Sequence, residues 1–175
     1  PATLLTAADF PLTAGLTVDE LANVDLCHAP PYSPAMDNII TAANVARNTL
    51  DGRMTGIAPA EAHRKIQAGE DFLFLDCRTP AEHDEVRLPS STLIPLGSLR
   101  GRLRELPRDK EIVTFCHISL RGYEAEIILR AAGFENVKVM DGGVAMWPFE
   151  KIYGCPGALR RAGTKRLDPR GGDEV

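Results

Sequence analysis

The strongest constraint on folding is the stretch Glu111-Ile-Val-Thr-Phe-Cys-His-Ile-Ser-Leu-Arg-Gly-Tyr-Glu-Ala-Glu-Ile-Ile-Leu-Arg130. Ile112, Val113, Thr114 and Phe115 are β-branched or aromatic, the composition of a buried parallel strand. Tyr123, Ile127, Ile128 and the pair Ala131 and Ala132 recur at helical spacing. Strand, loop and helix in that order set Cys116 at the carboxyl edge of a sheet, where open α/β sheets bind ligands.

Unpaired N–H groups of the loop and of the helix start point toward whatever lies at the loop's mouth, so thiolate is favoured over thiol at Cys116. One helix terminus contributes roughly 0.3–1 kcal/mol, against about 1.36 kcal/mol per pKa unit. Several amides must therefore converge on the sulfur before thiolate dominates near neutral pH. Arg121, closing the loop, is expected to hold it or to add positive charge. A lone cysteine at a strand end is more commonly a small core hydrophobe. Its sheet-edge position, the Cys-x4-Arg spacing and the helix that follows favour a catalytic role here.

The 175 residues allow one ordinary domain with extensions, and 44% hydrophobic content permits a core. A net charge of −4 without a clustered basic face argues against nucleic acid. No run of 18 apolar residues suggests a membrane span, and no signal-peptide pattern is present. Cys27, Cys77, Cys116 and Cys155 lack metal-ligand spacing, so no metal is expected and reduced thiols in a cytoplasmic protein are the expectation.

Along the chain, residues 1–52 form a mostly helical extension. Thr17 and Glu20 make a capping box, Pro30, Pro31 and Pro34 forbid regular structure, and a helix from Asn38 to Leu50 stops at Asp51-Gly52. Such a piece makes a poor independent core and should pack on a partner or on the rest of the chain. From Met54, strands and helices alternate: an edge strand over residues 55–57, a helix over 59–67, a strand over 72–76, a helix starting at Thr79-Pro80, a strand over 92–94, a basic helix over 96–106, the strand–loop–helix around Cys116, and a strand over 137–140. Alternation of this kind implies a parallel sheet flanked by helices. Residues 149–175 read as a solvated tail.

Residues 54–148 resemble the rhodanese, or sulfurtransferase, domain. Four landmarks carry the likeness: Phe74-Leu-Asp-Cys-Arg-Thr-Pro-Ala-Glu82, Cys116-His-Ile-Ser-Leu-Arg121, Ala132-Gly-Phe-Glu-Asn-Val137 and Asp141-Gly-Gly-Val-Ala-Met-Trp147. The resemblance implies an α/β fold and an enzyme whose loop cysteine, here Cys116, takes a sulfane sulfur from a small-molecule donor as a persulfide and passes it to a thiol or other thiophilic acceptor. His117, Ile118, Ser119, Leu120, Arg121 and Gly122 would then bind substrate. Asp76 and Arg78 would support the loop or pair with Glu82. The count of four residues between cysteine and arginine fits a persulfide, whereas the related loops of phosphatases and arsenate reductases hold one residue more.

Residues 1–52 are similar to the end of the dimerisation domain of coenzyme A disulfide reductase-type flavoproteins, through Ala14-Gly-Leu-Thr-Val-Asp-Glu-Leu21 and Ala29-Pro-Pro-Tyr-Ser33. That likeness implies a flavin-dependent reductase partner, or a homodimer through the extension. Gly-x-Gly-x-x-Gly is absent, so no flavin or nicotinamide cofactor is expected on this chain. Three departures stand out: Val86-Arg-Leu-Pro-Ser-Ser91 replaces a Gly-His-Ile-Pro-Gly-Ala segment, Ser119 replaces a glycine suited to positive φ, and His28 replaces a tyrosine. Beside the loop, His117 is a candidate base at the rim, Cys77 and Trp147 are core packers, and Cys155 is an exposed thiol able to resolve a persulfide. A non-catalytic docking or dimerisation module is the alternative to the enzyme, and a cysteine phosphatase the third.

Overall fold

The computed structural model describes residues 13–24 and 37–154. Helices α1 (Val18–Ala22) and α2 (Asn38–Leu50) come first. Then follow β1 (Gly56–Ile57), α3 (Pro59–Gln67), β2 (Phe72–Asp76), α4 (Pro80–Glu85), β3 (Val86–Arg87), β4 (Ser91–Leu93) and α5 (Leu96–Arg102). After a 3-10 turn at Leu103–Glu105 the chain forms β5 (Glu111–Phe115), α6 (Leu120–Ala131), β6 (Val137–Met140) and β7 (Ile152–Tyr153). Thr17 caps α1 through the capping box with Glu20, as its spacing predicts.

Five strands make one parallel sheet in the order β1-β6-β5-β2-β4. Cys116 thus leaves the central strand, with β2 and β6 on either side. Side chains of β5 alternate between two cores, as strand geometry requires. Ile112 packs with Leu75, Ala125, Leu129 and Val137, while Val113 and Phe115 pack with Phe74, Met140 and Trp147 on the other face. Cys77 and Trp147 lie in these cores, as expected of packers. Burial pushes the Cys77 thiol well up, aided by the negative charge of Asp76.

Three expectations need correction. The helix expected over residues 96–106 ends at Arg102 and tightens into the 3-10 turn, because Gly97 and Gly101 weaken it and Pro107 follows. Strand β4 lies one residue earlier than residues 92–94. Regular structure also runs past Pro148, since β7 pairs antiparallel with β3 through Val86 with Tyr153 and Arg87 with Ile152. Two-residue strands carry too little periodicity to read. Cys27, His28 and Cys155 lie outside the described residues. Among the described residues no helix is long and apolar enough to cross a membrane.

Candidate active site

Strand β5 delivers Cys116 at its carboxyl end, and the residue is 1% exposed. His117, Ile118 and Leu120, which follow it, are exposed. The loop turns into α6 at Ser119, whose φ is 89° and ψ −30°. This is the positive-φ position at which glycine was missed in the sequence. Non-glycine residues held there cost on the order of 1–3 kcal/mol. The Ser119 hydroxyl donates to the Met140 carbonyl at 3.0 Å and offsets part of that cost.

The N–H groups of residues 117–122 donate to no acceptor among the described residues; the Tyr123 N–H is the first to bond back, to the Ser119 carbonyl at 2.9 Å. Consecutive free amides in a tight loop at a helix start form an anion-binding concavity. They run on directly from Cys116.

Two glycine contacts hold that loop in place. The Val144 N–H donates to the Cys116 carbonyl at 2.9 Å and the Ala145 N–H to the His117 carbonyl at 3.0 Å. The turn that aims them passes through Gly142 (φ 69°) and Gly143 (φ 55°). A Cβ on Gly143 would run into the Cys116 carbonyl oxygen and lie 2.7 Å from that of His117. At the other end, a Cβ on Gly122 would stand 3.2 Å from the Phe115 Cα, so α6 approaches β5 closely, and the Thr114 hydroxyl donates to the Gly122 carbonyl at 2.9 Å.

A model of the rhodanese-like domain matches residues 58–148. The chain belongs to the rhodanese-like domain family. It is 33% identical over 84 residues to a sulfurtransferase of Allochromatium vinosum, covering 48% of this chain and 78% of that one. Among solved structures, a NAD-dependent persulfide reductase from A. fulgidus is similar with a TM-score of 0.72 and 46% identity, over 83% of this chain and 25% of that one. CoADR-RHD of Bacillus anthracis, in its reduced form, is similar with a TM-score of 0.76 and 34% identity, over 81% of this chain and 25% of that one. This chain therefore spans a quarter of each of those two proteins. Both likenesses cover more than residues 58–175 supply, so they take in part of the N-terminal extension, as its resemblance to reductase sequence implies.

In this rhodanese-like domain, Arg121 stands within reach of the Cys116 sulfur and is held there by Glu82. Its guanidinium makes a two-pronged ion pair with Glu82 at 2.6 and 2.8 Å. Arg121 holds the Glu82 carboxyl well below the usual carboxylate range, burial opposes this, and the Thr79 N–H adds to the lowering. The same carboxylate closes the capping box of α4, accepting from the Thr79 N–H at 3.0 Å and hydroxyl at 2.8 Å. One side chain therefore starts α4 and anchors the Cys116 loop through Arg121.

Of the two supporting roles expected for Asp76 and Arg78, contact with Glu82 is the one seen, through its carbonyl on α4. Both are buried, and Arg78 donates to the Asp76 carboxylate at 2.7 and 3.0 Å. Arg78 also donates to the carbonyls of Glu82 at 3.3 Å and Val86 at 2.7 Å, and His83 Nδ1 lies 3.0 Å from Asp76 Oδ2. The Asp76–Arg78 pair thus ties β2 to the middle and the C-terminal end of α4. Sequence reasoning did not foresee the Gly143 clamp, the Glu82 anchor or the His83 contact. The Thr79-x-x-Glu82 box and the Gly142-Gly143 pair were the signals available.

Proposed function

We propose that this rhodanese-like domain is a sulfurtransferase working through a persulfide on Cys116. The Cys116 thiolate attacks the terminal sulfur of a sulfane donor; a new S–S bond forms as the donor's S–S bond breaks, and the remainder leaves as sulfite from thiosulfate or as a thiolate from an organic persulfide. An acceptor thiolate then attacks the terminal sulfur of the Cys116 persulfide and returns Cys116 to its thiolate, so atoms and electrons balance over the cycle. The observation that carries this proposal is the run of free amides at residues 117–122 beside the cysteine, a stabiliser for a terminal sulfur bearing negative charge. Cys116 is 1% exposed, so sulfur transfer requires the loop around it to open to the donor.

The test is mass spectrometry after incubation with thiosulfate or a low-molecular-weight persulfide. Sulfuration should add about 32 Da to the Cys116 peptide and nothing at that position in Cys116→Ser. A wild type left unmodified by every donor removes the proposal.

A second reading, a non-catalytic partner or dimerisation module of a disulfide or persulfide reductase system, draws on the likeness to the two reductase-type structures and on α2. That helix buries only Ala43 and leaves Val45 and Leu50 exposed. Light scattering of the full chain and of a chain beginning at residue 53 tests it. An equal oligomeric state, with sulfur transfer retained by the shorter chain, rejects the module as the main role.

A further inference from the structure

We infer that the preferred donor is an organic persulfide with an uncharged, apolar body rather than thiosulfate, and that Glu82 sets this preference by holding Arg121; the inference rests on the sulfurtransferase proposal above. Charge comes first. Arg121 is the loop's only residue with a permanent positive charge; both prongs of its guanidinium lie on the Glu82 carboxylate, which is its main partner, with the Cys116 sulfur a lesser one. Arg78 on the neighbouring strand is likewise committed to Asp76, and Lys151 donates to the Val144 carbonyl at 2.9 Å. A paired guanidinium offers little net field to a dianion.

The leaving groups turn this into selectivity. Attack on thiosulfate expels sulfite with two negative charges, which need a cation at the mouth. Attack on a protonated organic persulfide expels a thiolate with one, and the loop amides suit a single developing charge.

The rim supplies the second half of the inference. Ile118 is 63% and Leu120 60% exposed, and Met146 is 67% exposed one residue from Ala145, which bonds His117. Met146 also lines a groove of about 430 Å³ with Ala58, Pro59, Gly142 and Pro148. Ile118 and Leu120, exposed on the loop itself, favour an apolar substrate body. Asp141, the charged member of that lining, adds a negative rather than a positive group.

The experiment compares second-order rates of Cys116 sulfuration by thiosulfate and by benzyl persulfide, followed by mass spectrometry. Wild type should react at least about tenfold faster with benzyl persulfide. Glu82→Gln keeps a capping-box residue on α4 but frees the Arg121 charge, and should raise the thiosulfate rate about tenfold. The gain should vanish in high salt, while the benzyl persulfide rate stays flat. Ile118→Lys, at an exposed position, should shift the ratio the same way without touching the ion pair. Thiosulfate reacting as fast as benzyl persulfide in wild type, or a ratio unmoved in both variants, overturns the inference while leaving sulfur transfer intact. Failure of both donors to modify Cys116 instead defeats the sulfurtransferase proposal itself.

Discussion

Ser119 and Gly143 hold the Cys116 loop from two sides, and they do so by different means. Ser119 trades positive-φ strain against its hydrogen bond to the Met140 carbonyl. Ser119→Ala keeps the strain and loses the bond, so urea unfolding should show a loss of about 1 kcal/mol. Ser119→Gly loses the bond but relieves the strain, and should fall within about 0.5 kcal/mol of wild type. Gly143→Ala has no such relief. Its Cβ meets the Cys116 and His117 carbonyls at positive φ, so we expect at least about 2 kcal/mol of destabilisation and a slowed sulfuration of Cys116. The strain at Ser119 was legible in advance because the resemblance put a glycine there. The contact of Gly143 was not, since a Gly-Gly pair in a sequence announces a turn but not which distant carbonyl the turn touches.

At the scale of elements, two helices carry carboxylates with opposite electrostatics, one part-exposed and one buried. Glu82 on α4 is held low by Arg121, whereas burial raises Glu126 on α6, with the Thr55 N–H and Arg130 only partly offsetting it. One oxygen of Glu126 has no partner among the described residues; the other accepts from the Thr55 N–H at 3.1 Å and from Arg130 at 2.9 Å. A raised folded-state pKa means that the fold binds a proton more tightly than the unfolded chain. The penalty for ionised Glu126 is therefore full at pH 7 and shrinks as pH falls toward the unfolded value of about 4.3. Glu82 contributes no slope in that window, because its stabilisation is lost only below the unfolded value. Between pH 7 and pH 5, wild type should thus gain stability relative to Glu126→Gln, as measured by urea unfolding at both pH values; parallel curves would contradict this. The strands and the α6 start were readable from β-branched runs and spacing. Glu126 was not, because a glutamate amid helical polar residues looks solvated until the fold sets α6 against Thr55.

Over the whole molecule, the parallel order of strands around a central β5 was readable because alternating strand and helix patterns leave few topologies. Regular structure ends later than the composition of residues 149–175 predicts. Past Pro148, the Trp147 ring N–H donates to the Glu150 carbonyl at 3.1 Å, Lys151 reaches Val144, and the Gly154 N–H donates to the Glu85 carbonyl at 3.0 Å. The first two are local ties and the third is a long-range closure, which a short, polar segment does not signal. A chain ending at Pro148 should melt several degrees below one ending at Gly154, the shift expected for a loss of about 1–2 kcal/mol; equal melting would mean that β7 contributes nothing. The central claim, that the free amides of residues 117–122 receive the terminal sulfur, is tested most directly by an amide ¹H–¹⁵N map of the protein before and after sulfuration of Cys116. We expect downfield proton shifts confined to residues 117–122, with Val144 and Ala145 little changed. A fully sulfurated Cys116 with those amides unmoved would contradict it.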